Sequence, residues 1–228
     1  MIVKTEKDIL NKRVLEFIKV VDDIANKNYE SIRKSSNFRQ SNLAWNKCNS
    51  PFEVGRMSEL VENYLPNSTL EFALKYFNDA GTGASKGKSF EEFVNNSLKF
   101  KALCLSLSNV DITIEEALVF VYCRLFLQTF LGYSREKRAL QFLQNKYPER
   151  IFKLTKGVID SDYGVDIIEV DNQGEMLQAY QVKPKSFRKA LDRAKPYKWA
   201  INMLKKNKIA FDKCQNRFGI RPKFFIFD

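Results

Sequence analysis

Residues 162–183 read DYGVDIIEVDNQGEMLQAYQVK. Two apolar, β-branched runs flank Asp171-Asn-Gln-Gly174, the local signal for a hairpin, whereas most of the chain reads as helix. The hairpin also places Asp166, Gln181 and Lys183 where buried strands normally hold apolar residues. Side chains alternate across a strand, so Gln181 and Lys183 project from one face and Val182 from the other. In the preceding strand Asp166 shares its face with Ile168 and Val170, and Glu169 points the opposite way. A turn through Asp171 to Gly174 then brings Asp166 beside Gln181 and Lys183. The patch would hold a carboxylate, an amide oxygen and an ammonium.

Around the hairpin, strands are expected at Phe152–Ile159, Gly164–Val170 and Met176–Lys183. A short helix from Ser134 to Lys146 precedes them, and a long basic helical stretch and the strand-like FFIF at 224–227 follow. The order is that of an α/β core. Upstream, apolar spacing predicts helices over Thr5–Asn26, with Ile9, Leu10, Val14, Phe17, Ile18, Val21 and Ile24 on one face. Others are predicted over Met57–Leu65, Thr69–Asn78, Phe90–Phe100 and Ile112–Leu131. Thr113 and Glu116 have capping-box spacing at the start of the last of these. The chain therefore divides into a mainly helical region, 1–131, and an α/β region, 132–228, an α+β protein taken whole. No internal repeat or low-complexity segment is visible.

Composition excludes several chemistries. The 228 residues include no histidine, which removes Ser-His-Asp and Cys-His catalysis, zincin-type metal sites and every nuclease with a histidine base. Cys48, Cys104, Cys123 and Cys214 are scattered without a CxxC pair, so free buried thiols in a reducing cytoplasm are expected. No secretion signal is apparent. Ile112–Leu131 has the length of a membrane span but carries Glu115, Glu116, Arg124 and Gln128, which favours a buried core helix. GTGASKGKSF at 81–90 departs from the P-loop motif because Thr82 stands five positions before Gly87, and a helix rather than a strand leads in; no nucleotide cofactor is expected.

The net charge of +11 is uneven. Residues 1–130 hold 17 basic and 16 acidic side chains, and residues 131–228 hold 21 and 11. From Lys183 to Lys223 the only acids are Asp192 and Asp212, with Phe187, Tyr197 and Trp199 interleaved. Such a surface suits the tracking of phosphates, and a solvated helix face is the ordinary alternative. Lys185, Arg188, Lys189 and Lys195 are the candidate DNA contacts in this stretch. Lys86 and Lys88 in the 81–90 loop are candidate phosphate contacts, against a flexible connector capped by Ser89. Arg39, in the polar stretch 31–47, is a candidate for contact with bases, although such residues are also ordinary loop content.

A carboxylate and a neutral oxygen, with the Val182 carbonyl nearby, are the hard donors that Mg²⁺ accepts while keeping several waters. A lysine beside them can orient an attacking water and offset charge developing on a phosphate. Gly164-Val-Asp166, fourteen residues, then Gln181-Val-Lys183 resembles the PD-(D/E)xK nuclease motif in the variant where glutamine replaces the second acid. Glu136 matches the acid that a preceding helix often adds in that superfamily. The resemblance covers residues 132–228 and is closest to type II restriction endonucleases, with MjaI-type enzymes, associated with CTAG, as the nearest family.

That resemblance implies a Mg²⁺-dependent endonuclease, with Mn²⁺ able to substitute, acting as a cytoplasmic homodimer on short palindromic double-stranded DNA. Asp166, Gln181, the Val182 carbonyl and Glu136 would hold the metal, Lys183 would position the water, and the helical region would serve dimerisation and target recognition. Each residue also has an ordinary reading: Asp166 as a strand-edge charge, Lys183 as a snorkelling side chain, Glu136 as a carboxylate favoured at a helix N-terminus. A modification-dependent or repair nuclease of the same fold, a non-catalytic DNA-binding protein on a decayed nuclease fold, and a protein-binding basic surface remain as alternatives.

Overall fold

Serine and threonine side chains cap several of the helix starts. In the computed structural model, which describes residues 6–228 and side chains from residue 12 onward except at positions 158 and 161, the chain divides into two compact units, one ending at Leu131 and one spanning Gly132–Asp228.

The described elements of the first unit are helices: α1 (Glu6–Lys34), α2 (Ser36–Gln40), α3 (Asn42–Cys48), α4 (Pro51–Val54), α5 (Met57–Tyr64), α6 (Thr69–Asn78), α7 (Phe90–Ser108) and α8 (Ile114–Tyr122). A π-helical turn at Cys123–Leu127 follows, and then α9 (Gln128–Lys146), within which the boundary between units falls. Thr5, and the side chains of Ile9 and Leu10, lie outside the described residues. The hydroxyls of Ser35, Ser68, Ser89 and Thr113 accept from the N–H groups of Phe38, Glu71, Glu92 and Glu116. Glu92 and Glu116 return the bond, accepting from the Ser89 and Thr113 N–H groups at 2.7 and 2.9 Å. Both are capping boxes, which satisfy donors that a helix start leaves open.

Three expectations change here. The helix expected from Ser134 begins at Gln128, because the chain passes from α8 through the π turn without a break. Within that turn Arg124 is buried. Its guanidinium donates to the Phe38 carbonyl at 2.7 Å, Ser41 Oγ at 3.1 Å and Asn42 Oδ1 at 3.0 Å, and lies 4.1 Å from the Phe38 ring centroid. Burial pushes it down to about 10. Such pairing is what a charge inside a core requires, and no helix among the described residues is long and apolar enough to cross a membrane. Second, the stretch 31–47 is largely helix, with Phe38 and Ala44 turned inward and Arg39 exposed.

Third, the 81–90 loop is ordered rather than a loose connector. The Gly81 N–H donates to the Gly87 carbonyl at 3.1 Å, and Lys86 pairs with Asp79 at 2.7 Å. Lys88 is buried, donating to the carbonyls of Gly83 at 3.0 Å and Gly81 at 3.3 Å. Its ammonium ties the loop together instead of facing solvent, so its reading as a phosphate contact is withdrawn. Ser89 does cap α7 as expected. Nearby, Phe126 of the π turn meets Phe72, Tyr76 and Phe77 edge-on at centroid distances of 5.6, 5.1 and 5.6 Å, an aromatic core.

The second unit holds β1 (Ile151–Leu154), α10 (Val158–Tyr163), β2 (Ile167–Val170), β3 (Met176–Lys183), α11 (Lys185–Leu191), α12 (Lys198–Phe218) and β4 (Lys223–Ile226). The strands form one sheet in the order β1-β2-β3-β4, the first two pairings antiparallel and the last parallel. The hairpin closes as the sequence indicates. Asp171 Oδ1 accepts from the Gln173 and Glu175 N–H groups, both at 2.9 Å, and Gly174 takes the positive φ of 90° that favours glycine. Ile167 and Val182 share a cluster with Ala139 and Leu143 of α9 on one face of the sheet. On the other face Ala179 and Ile168 gather with Cys214 of α12, and Phe224 and Ile226 with Phe187, Ala190 and Ala200 of α11 and α12.

The strand expected at Phe152–Ile159 is shorter than expected. β1 stops at Leu154, and Gly157, with φ 60° and ψ −126°, turns the chain into α10, which absorbs Ile159. Gly164, also at φ 60°, ends that helix, so β2 begins three residues later than the expected start.

Candidate active site

The register of the sheet fixes the centre of the site. Ile167 pairs with Tyr180 and Ile168 with Ala179, and the Asp166 N–H donates to the Tyr180 carbonyl at 2.9 Å. Asp166 therefore lies at the entry to β2, opposite the end of β3 that carries Gln181 and Lys183. Gln181 and Lys183 pair with Phe224 and Ile226, whereas Val182 pairs with Phe225, so the alternation of faces is as the sequence indicates. Asp166 and Gln181 are both buried at 8% exposure, too deep for strand-edge charges.

Each polar group has a definite environment. Asp166 Oδ2 accepts from the Val182 N–H at 2.7 Å, which ties the carboxylate to the neighbouring strand. Thr155, just past β1, donates its N–H to the Asp166 carbonyl at 3.0 Å, and its hydroxyl donates to the Val165 carbonyl. Gln181 Oε1 is buried and has no hydrogen-bond partner. A buried acceptor without a donor costs free energy of about 1–3 kcal/mol, which a cation or an ordered water at that oxygen would relieve. Among the described residues no three acidic or thiol side chains converge on one point. The donor set is thus a carboxylate with an amide oxygen, which fits a hard cation that keeps several of its waters.

Lys183 stands beside them. Burial pushes its ammonium below the usual lysine range; Asp166, then Glu136, then Asp160 oppose that loss of charge, and Arg135 adds to it. A cation out of water survives only where carboxylates compensate it. Glu136 comes from α9, one turn before Ala139 and on the same stripe as Ala139 and Leu143, which face the sheet. It sits eight residues inside its helix, so the helix-terminus reading does not apply.

The sequence reading does not single out Asp160. It lies on α10, where burial pushes its carboxyl above the usual carboxylate range and Lys183 pulls it back. A one-turn helix six residues from the motif gives no periodicity to flag it. α10 is also held against the motif: a Cβ built on Gly164 would lie 3.5 Å from Gln181 Nε2 and 3.5 Å from the Ala210 Cβ of α12. One turn earlier on that side of α12 is Asn207, buried, whose Nδ2 has no partner.

The basic candidates fall into two groups. α11 begins two residues after Lys183, and its exposed side carries Lys185, Arg188 and Lys189, with Phe187 and Ala190 turned inward. Arg188 pairs with Asp192 at 2.8 Å, and the Lys185 N–H donates to Asp228 at 3.0 Å. Lys195 is exposed between α11 and α12. Lys86 and Arg39 are exposed in the first unit.

The whole arrangement offers a carboxylate and an amide oxygen of the kind that hard cations accept, a desolvated ammonium and, next in the chain, a basic helix, a combination suited to hydrolysis of a phosphodiester. No curated protein and no solved structure matches the chain. A family model described as MjaI restriction endonuclease does match, over residues 40–221, a span that includes Glu136, Asp160, Asp166, Gln181 and Lys183. With most of its length matched, the chain belongs to the MjaI restriction endonuclease family.

Proposed function

We propose that this member of a restriction endonuclease family is a Mg²⁺-dependent, site-specific endonuclease that hydrolyses double-stranded DNA as a homodimer. The observation that carries the reading is the buried, unpartnered Gln181 Oε1 across the sheet from Asp166 and beside a desolvated Lys183. Asp166 and Gln181, with Glu136 and the Val182 carbonyl as further donors, are the residues that would hold the metal. Mg²⁺ bound there, or Mn²⁺ in its place, would acidify a water and draw charge from the phosphate.

Asp166 is fixed to the neighbouring strand through the Val182 N–H, which sets where its carboxylate would meet the metal. Lys183 steadies the attacking water by hydrogen bonding and offsets negative charge on the non-bridging phosphate oxygens. The water oxygen bonds to phosphorus as the bond to the leaving sugar oxygen breaks, and that oxygen takes up a proton. Lys185, Arg188, Lys189 and Lys195 carry the phosphodiester backbone toward the site, a role that sets affinity without selecting sequence. Recognition of bases, with Arg39 as one candidate and Lys86 as a backbone contact, and dimerisation are assigned to the helical unit.

The experiment is digestion of unmethylated phage DNA containing CTAG sites, in Mg²⁺ and in Mn²⁺, with wild type, Asp166→Ala and Lys183→Ala. Discrete fragments from wild type alone are expected, and sequencing their ends gives the target. DNA binding that persists without cutting in either metal would sink the reading and favour a decayed, DNA-binding fold. Cutting only of methylated DNA would favour a modification-dependent enzyme.

A further inference from the structure

The buried stripe of α12 is apolar at every position but one. It consists of Ala200, Asn207, Phe211 and Cys214, which share one helical face. What the neighbours of Asn207 touch places it over the strands. Cys214 gathers with Ala179 of β3, and the Phe211 ring centroid lies 5.1 Å from that of Phe224, the β4 partner of Gln181. Ala200 clusters with Phe224 and with Ile226, the β4 partner of Lys183. The helix thus runs antiparallel to β3. Asn207 is one turn before Phe211, about 6 Å along the helix, a step that matches the two residues, about 6.6 Å, from Gln181 to Lys183 along the strand. Sideways, Ala210 leans toward Gly164, just before β2, and Phe211 toward β4, and residue 207 projects between them. Asn207 therefore sits over β3, at the level of Gln181 and Lys183.

An amide in that stripe is costly as it stands. Asn207 is 7% exposed and its Nδ2 has no acceptor, and Gln181 is 8% exposed and its Oε1 has no donor. The two open groups are of opposite polarity and come from facing elements, yet they do not bond to each other. A cation paired with an anion satisfies both at once, the cation at the oxygen and the anion at the N–H. We propose that Asn207 is a substrate-binding residue of the site, its Nδ2–H donating to a non-bridging oxygen of the scissile phosphate while the Gln181 oxygen faces the metal. This role rests on the nuclease reading above. A fixed N–H in a water-poor site stabilises the charge that builds on phosphate oxygens in the transition state. A leucine would fill the stripe without leaving a donor open, so packing gives no reason for an amide here.

The test variant is Asn207→Leu, which keeps the bulk and removes the open donor. In metal-free protein its urea midpoint should be no lower than that of wild type, and its calorimetric Mn²⁺ affinity without DNA should be unchanged. Single-turnover cleavage at saturating Mg²⁺ should fall about 100-fold. With Ca²⁺ in place of Mg²⁺, the tightening of duplex binding that the cation brings to wild type should shrink about tenfold in the variant. A wild-type cleavage rate for Asn207→Leu, or a Ca²⁺ response equal to that of wild type, would overturn the role. A lowered urea midpoint would make the residue structural, and a lowered Mn²⁺ affinity would make it a support for Gln181, each overturning the phosphate contact. A wild-type chain that binds DNA but never cuts would remove the nuclease reading. The Ca²⁺ response would still report whether Asn207 couples a cation to a phosphate.

Discussion

At Gln181 the strand presents an amide where a second carboxylate would give a divalent cation more charge. The substitution Gln181→Glu is expected to tighten Mn²⁺ binding by about tenfold, because affinity for hard cations rises with the charge of the ligands. Titration calorimetry on the DNA-free protein reads this directly, and an unchanged affinity would remove Gln181 from the donor set. Asp166, Gln181 and Lys183 were legible in the sequence because strand alternation and a short turn determine which side chains meet. Asp160 was not legible, since a short helix between two positive-φ glycines leaves no periodicity in the sequence. Lys88 was misread for a related reason. A lysine in a glycine-rich loop looks exposed until the loop carbonyls are seen to close around it.

Among the elements, capping chemistry was the most transferable signal: Thr113 with Glu116 starts α8 as expected, and Thr69–Asn78 forms α6 with the expected bounds. Boundaries governed by tertiary contacts were less legible. The π turn and α9 run on from α8 because the aromatic core around Phe126 and the buried Arg124 outweigh local punctuation at Gly132. A prediction belongs to the 81–90 loop. A Cβ at Gly87 would lie 1.9 Å from the Tyr76 carbonyl oxygen, a contact that only backbone movement relieves. Gly87→Ala should therefore destabilise the chain by about 1–3 kcal/mol, read as a lower urea midpoint with an unchanged slope. An unaltered midpoint would mean that the loop does not seat on α6 in solution.

For the whole molecule, the scatter of the four cysteines along the chain anticipated thiols that are free and buried. Burial pushes Cys48 up to about 12, Cys104 to about 11 and Cys123 to about 12, and raises Cys214. At pH 8 the native protein is expected to react with a disulfide reagent only on the timescale of unfolding, and to expose four thiols in guanidinium. A fast thiol in the native state would contradict the packing around that cysteine. The excess positive charge was also visible in the sequence, but the division of α11 into an exposed basic side and a buried side with Phe187 and Ala190 emerges only in the fold. The segment from 156 to 164, which carries α10, is no appendage of the β1–β2 connection: Ile159 and Tyr163 pack on the cluster around Val165, Ala179 and Cys214, and Tyr163 meets Phe218 of α12 edge-on at 5.2 Å. The end of β2 that Asp166 precedes is thus buttressed from outside the ladder, and shortening that segment should loosen the same end of the sheet.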